Sequence, residues 1–207
     1  MFRMIYVAIG ILLSLSLLTV SGCVWGFSTQ KPADYTSNSP IFDAQKNLSG
    51  DYLSEGLIYD YTGKVVSRFK ARMTGEFDIN GGTLSEHFIY ASGREDHRKW
   101  TLAFNGDGTF TATAPDLIGQ AEGIQSGNTL QMKYKLKLSE DAGGHTLSVT
   151  DWMYLTDEGT IINRSQMRKF GIKVAELVAV FKHRDINENS VFNQASLSNS
   201  NELDAAE

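Results

Sequence analysis

Thr129-Leu130-Gln131-Met132-Lys133-Tyr134-Lys135-Leu136-Lys137-Leu138 alternates apolar and polar side chains without a break. Successive side chains of an extended strand point to opposite faces. Leu130, Met132, Tyr134, Leu136 and Leu138 therefore share one face, and Gln131, Lys133, Lys135 and Lys137 share the other. That pattern reads as a strand with one dry face and one wet face. Gly127-Asn128 turns the chain into it, and Asp141-Ala142-Gly143-Gly144 turns it out again.

The same habit extends in both directions. Upstream, Val65, Ser67, Phe69, Ala71 and Met73 alternate with Val66, Arg68, Lys70 and Arg72, and Gly75 to Ile79 continues the pattern. Asn80-Gly81 is a strong hairpin signal, because both residues tolerate positive φ. Thr83 to Ala91, His97 to Phe104 and Thr109 to Ala114 read as further strands, and Pro115-Asp116 breaks the last of them. Ile118 to Ile124 carries Gly119, Ala121 and Gly123 on one phase, which fits a bend or the close approach of another strand. Downstream, His145 to Leu155 and Thr160 to Met167 are strands joined by Thr156-Asp157-Glu158-Gly159. The final apolar run, Ile172 to Lys182, is long enough for a helix. Its Val and Ile content and the preceding glycine favour a strand. The first strands lie in Leu48-Ser49-Gly50-Asp51-Tyr52 and Gly56-Leu57-Ile58-Tyr59-Asp60-Tyr61. The sequence thus predicts an all-β domain over 48–182, an antiparallel up-and-down meander of nine or ten strands. A sandwich and a barrel both fit the strand spacing. Closure is favoured, because it removes both edges of the meander.

The ends of the chain carry different signals. Arg3, the apolar run Met4 to Leu13 and the closing Val20-Ser21-Gly22-Cys23 have the order of a secretory signal over 1–22. Two small residues before a cysteine are similar to a bacterial lipobox. Cys23 would then begin the mature chain and carry diacylglycerol on its thiol and an acyl group on its amine, and no other cofactor is expected. Each buried CH₂ contributes about 0.8 kcal/mol, so more than one acyl chain makes a stable membrane anchor. Val24, where an Asp would signal inner-membrane retention, directs the expectation to the outer membrane, facing the periplasm. Residues 23–47 read as the lipidated Cys and a tether, with Phe42 the first residue to dock, and 183–207 as a disordered tail.

Composition narrows the function classes. Net charge is −5 and no basic block exists, which argues against a nucleic-acid partner. The single cysteine leaves stability to packing. His87, His97, His145 and His183 show no helical or hairpin ligand spacing, so no metal site is expected. No Gly-x-Ser-x-Gly elbow occurs, and the glycines at 119–127 lack the ending of a phosphate loop.

Three charged residues share the phase of apolar neighbours. Glu86 lies with Leu84, Phe88 and Tyr90, Arg98 with Trp100, Leu102 and Phe104, and Asp151 with Leu147, Val149, Met153 and Leu155. Charges on the inner face must be paired or wet. They would form an Arg98 ion pair with Asp151 or Glu86 that closes one barrel end, a ligand-contacting cluster, or an acid/base pair. A register slip of one residue would turn any of them to solvent.

Several elements together carry a resemblance: Asp60-Tyr61-Thr62-Gly63-Lys64, Gly82-Thr83-Leu84-Ser85-Glu86, Arg98-Lys99-Trp100-Thr101-Leu102, Gly119-Gln120-Ala121-Glu122-Gly123, Asp151-Trp152-Met153-Tyr154-Leu155, Asn163-Arg164-Ser165 and Met167-Arg168-Lys169-Phe170-Gly171. Over most of 35–182 the chain resembles the proteobacterial lipoprotein family catalogued as domain of unknown function 3833. Thr150 departs from the acidic residue expected there. The resemblance implies no activity, and it adds Asn163 and Arg164 to the candidate polar cluster. The meander is also similar to lipocalin-like barrels, which hold apolar ligands; that is an analogy of fold. A carrier of a lipid or other apolar small molecule would use Phe88, Trp100, Leu130, Met132, Tyr134 and Met153 as lumen lining. The alternatives are an accessory envelope protein with a filled core and a protein partner, and an enzyme drawing on Glu86, Asp151 and the histidines.

Overall fold

A computed structural model describes residues 26–184. The expected signal at 1–22, Cys23 and the tail beyond 184 lie outside the described residues. Ten strands follow one another: β1 (Gly50–Asp60), β2 (Val65–Phe77), β3 (Gly81–Tyr90), β4 (Glu95–Phe104), β5 (Thr109–Thr113), β6 (Ala121–Ser126), β7 (Thr129–Lys137), β8 (Thr146–Leu155), β9 (Ile161–Lys169) and β10 (Ile172–His183). Each pairs antiparallel with its neighbours in sequence, and β1 pairs with β10 from Tyr52↔His183 to Asp60↔Ala175. The meander is therefore a closed barrel of the lipocalin-like kind, and the Ile172 run is its last strand rather than a helix. Among the described residues, no helix is long and apolar enough to cross a membrane.

The alternation read from the sequence sets which face turns inward. Phe69, Ala71 and Met73 on β2, Leu130, Met132 and Leu136 on β7, and Leu147, Val149 and Met153 on β8 are all buried. Two glycines make room for aromatic rings inside. A Cβ on Gly56 would lie 2.3 Å from the Phe69 ring, and one on Gly123 would lie 2.1 Å from the Phe110 ring. The small-residue phase of β6 thus exists because Phe110 lies flat across it.

The stretch read as a tether is packed against the barrel, which corrects that expectation for residues 26–47. Phe42 is 2% exposed, and Ala44 and Leu48 are buried. A one-turn helix, α1 (Ala44–Asn47), follows Asp43, whose carboxylate accepts from the Gln45 and Lys46 amides. Such a cap satisfies the orphan N–H groups of a helix start. The Phe42 amide donates to the Gly127 carbonyl at 2.7 Å, the Ala44 amide to Gln125 Oε1 at 2.6 Å, and the Gln45 amide side chain to the Asp78 carbonyl at 2.7 Å. These partners all belong to one end of the barrel, so α1 closes that end as a plug. Farther upstream, Phe27 and Tyr35 pack on Trp152 from outside, with ring centroids 6.5 and 5.4 Å away. Trp152 points outward yet is fully buried, because this strap covers it. No periodicity marks the strap, because it docks through isolated aromatics and single backbone bonds.

Candidate binding cavity

With one end plugged, the barrel encloses a cavity of about 420 Å³. Its floor, near the plug, is made by Leu48, Met73, Leu84, Leu102, Phe110 and Phe181. Its mouth lies at the opposite end, among Arg94, Asp96, Pro115, Leu138, Ser139 and Ala142. All six residues named from the sequence as lumen lining, Phe88, Trp100, Leu130, Met132, Tyr134 and Met153, border this cavity. The Trp100 and Tyr134 rings meet edge to face with centroids 5.3 Å apart.

Glu86, Arg98, Asp151 and Asn163 also face the cavity, each placed there by the two-residue period of its strand. Glu86 and Arg98 are cross-strand partners on β3 and β4, and Asp151 stands opposite Ser165 on β8 and β9. The pairing differs from both sequence expectations. Arg98 forms its ion pair with Asp116, in the loop after β5, and not with Asp151 or Glu86. Asp116 was legible only as a turn residue, since loops carry no periodicity to give a side chain's direction. Glu86 accepts from the Trp100 indole N–H at 3.1 Å. Asp151 accepts from the Ser165 hydroxyl at 2.6 Å and from the Asn163 amide.

Arg164 does not belong to this cluster. It follows Asn163 on a strand, so the two must face opposite ways. Its guanidinium sits on the outer wall, 2.5 Å from Glu176 and 5.0 Å from the Phe27 ring. There it holds the strap and not the lumen.

Burial sets the protonation chemistry. It pushes the Glu86 carboxyl up to about 7, with the Arg98 charge and the Trp100 hydrogen bond limiting the rise. It pushes Asp151 up to about 6 against the hydrogen bonds from Ser165 and Asn163. Burial works against the Arg98 charge as well, but the surrounding acidic groups, Glu86 first, overcome it and raise its pKa. Burial also holds the Tyr134 hydroxyl well above its ordinary value. Two buried polar atoms at the cavity wall have no hydrogen-bond partner, Ser54 Oγ and Asp116 Oδ1.

A second cluster lies outside the barrel and corrects the reading of the histidines. His87 and His97 are cross-strand partners, with stacked rings 4.2 Å apart. Donor atoms of His87, Glu95 and His97 all lie within 4.8 Å of one another, and His87 Nε2 is 2.7 Å from Glu95. The hairpin spacing was present in the sequence: a turn centred on Ser92 brings 87 opposite 97.

Residues 21–183 match the family described as protein of unknown function (DUF3833), and the chain belongs to it. No curated protein matches the sequence. Among solved structures, the barrel is similar to a protein of unknown function from the DUF3598 family of Nostoc punctiforme. The TM-score is 0.50 at 10% identity over 70% of this chain and 51% of that one. This chain thus spans about half the length of the Nostoc protein, and the likeness is one of fold. Rv2717c from M. tuberculosis gives a TM-score of 0.49 at 15% identity, covering 72% of this chain and 100% of that one. The S-type phycobiliprotein lyase CPES from Guillardia theta gives 0.49 at 5% identity, covering 68% and 90%.

Proposed function

We propose that this DUF3833 protein is a membrane-anchored carrier that holds a lipid or similar apolar molecule in its barrel. The observation that carries the reading is the cavity itself: about 420 Å³, closed by α1 at one end, apolar at its floor and polar at its waist. Small-molecule sites have this size and this mix of apolar wall and few polar groups, roughly 300–1,000 Å³. A core evolved only for stability would fill such a void, since empty volume costs packing energy.

Two further observations support the membrane part. The lipobox-like Val20-Ser21-Gly22-Cys23 supplies an anchor site, with diacylglycerol and an acyl group on Cys23. Gly26, close in sequence to Cys23, lies near the Gln166 and Arg168 side chains on the mouth half of β9. That same end exposes Tyr61, Val65, Val66 and Ile172, and Phe170 at 94% exposure. An apolar patch on one side of the mouth end suits contact with a bilayer.

Native mass spectrometry of the secreted Cys23→Ser chain tests the carrier reading. A non-covalent mass that extracts as lipid, or saturable uptake of a fluorescent apolar probe, is expected. A bare chain that takes up no probe after exposure to envelope lipids would instead favour the accessory-protein reading. The mass of the N-terminal peptide from the wild-type protein tests the anchor separately.

A further inference from the structure

We infer that the cavity selects amphiphiles whose polar end is a cationic hydrogen-bond donor, a long-chain amine in chemical class, and discriminates against carboxylate heads. The inference rests on the carrier reading and gives it a ligand chemistry.

The charges facing the lumen are unequal. Glu86 and Asp151 bring two carboxyls to the cavity waist, Asp116 brings a third from the loop at the mouth, and Arg98 is the guanidinium among them. Arg98 is already engaged by Asp116 and feels the Glu86 charge. At the mouth, Arg94 and Asp96 hold each other at 3.0 Å and cancel. Lys137, half-exposed at the rim, is held by the Gly144 carbonyl. A carboxylate head at the waist would therefore meet no unpaired guanidinium and would add a fourth acidic group to a desolvated site.

Hydrogen-bonding capacity points the same way. Asp116 Oδ1 is a buried acceptor without a donor. Ser54, 2% exposed on the opposite wall of the cavity, has a hydroxyl without a partner. Among the described residues, Glu86 receives only the Trp100 indole from a side chain. Asp116 and Glu86 are acceptors short of donors, while the Ser54 hydroxyl can serve either way. An ammonium group brings three donors and one positive charge, which answers both deficits at once. The apolar floor beneath the waist would take the tail.

Dodecylamine, dodecanol and dodecanoate share a tail and differ at the head. Each would be titrated below its micellar concentration against a fluorescent apolar probe bound to the full mature chain. The titration would be at pH 8, where Glu86, facing Arg98, Asp116, Tyr134 and Asp151, is ionised. Dodecylamine should displace the probe at a concentration at least about tenfold lower than dodecanoate, with dodecanol between them. Glu86→Gln keeps an acceptor for Trp100 and removes one negative charge. It should shrink the amine-to-alcohol preference several-fold. Asp157→Asn, on an exposed turn, changes the net charge equally and should leave the preference intact. Dodecanoate binding as tightly as dodecylamine would overturn the inference and leave the carrier reading standing. So would an unchanged preference in Glu86→Gln, or an equal loss in Asp157→Asn. If the probe and all three amphiphiles fail to bind, the carrier reading falls and this inference with it.

Discussion

Asp151 and Glu86 are carboxyls held where ionisation is costly. Their folded pKa values, about 6 and about 7, lie above the ordinary 3.8 and 4.5, so the fold prefers their neutral forms. Their contribution to stability is greatest below the ordinary values and declines as pH rises through about 4 to 7. For each the loss is of the order of a few kcal/mol. Carboxyls with lowered pKa, such as Glu176, act in the opposite sense but only below about pH 4.5. The urea midpoint should therefore be higher at pH 5 than at pH 8. Asp151→Asn, which keeps an oxygen for Asn163 and Ser165, should remove much of that difference. A midpoint that rises from pH 5 to pH 8 would show that these groups are not desolvated. Arg98→Ala, measured the same way at pH 8, should cost about 3 kcal/mol by stranding Asp116 and Glu86. Arg164→Ala should cost less, because Gln166 and Lys173 still hold Glu176. The inward turn of Glu86, Arg98 and Asp151 was legible in the sequence from the period of their strands. Asp116 as the partner of Arg98 was not, because its direction depends on how one loop folds over the barrel mouth.

At the scale of elements, the strap and α1 act as part of the core. Phe42 plugs one barrel end: its ring belongs to the buried core, and its amide donates to the Gly127 carbonyl. Truncating a fully buried aromatic removes its transfer energy and leaves a cavity. Phe42→Ala should destabilise the protein by about 3–5 kcal/mol in urea unfolding. It should also open the floor, so that an apolar probe bound in the lumen exchanges faster. Loss below about 1 kcal/mol would mean that the plug is not needed to close the barrel. The strands were legible in the sequence because each repeats one simple period. The strap was legible only at Phe42, because Phe27, Tyr35 and Phe42 follow no period.

For the whole molecule, closure depends on β1 meeting β10 across nearly the full length of the domain. Long-range pairing of this kind is slow to form, since loop closure precedes the contacts that stabilise it. Deleting β10 would leave β1 and β9 as long open edges with an apolar inner face. Such edges recruit other chains. A chain ending at Gly171 should therefore appear as soluble oligomer or aggregate by light scattering. A stable monomer with intact near-ultraviolet circular dichroism would show that the barrel does not need its closing strand.

The sequence by itself determined the strand period, and with it the all-β class, the meander order and the inward face of each strand. These are local properties, because an extended chain sends alternate side chains to opposite sides whatever its neighbours do. Its local spacing also held the His87–His97 pair, once the turn between them is placed. Only the tertiary structure decided that the meander closes, that α1 plugs one end and leaves the other open, that Arg98 answers Asp116, and that a void remains inside. Those outcomes depend on contacts between residues far apart in the chain, and no local pattern encodes the distance at which such residues finally meet.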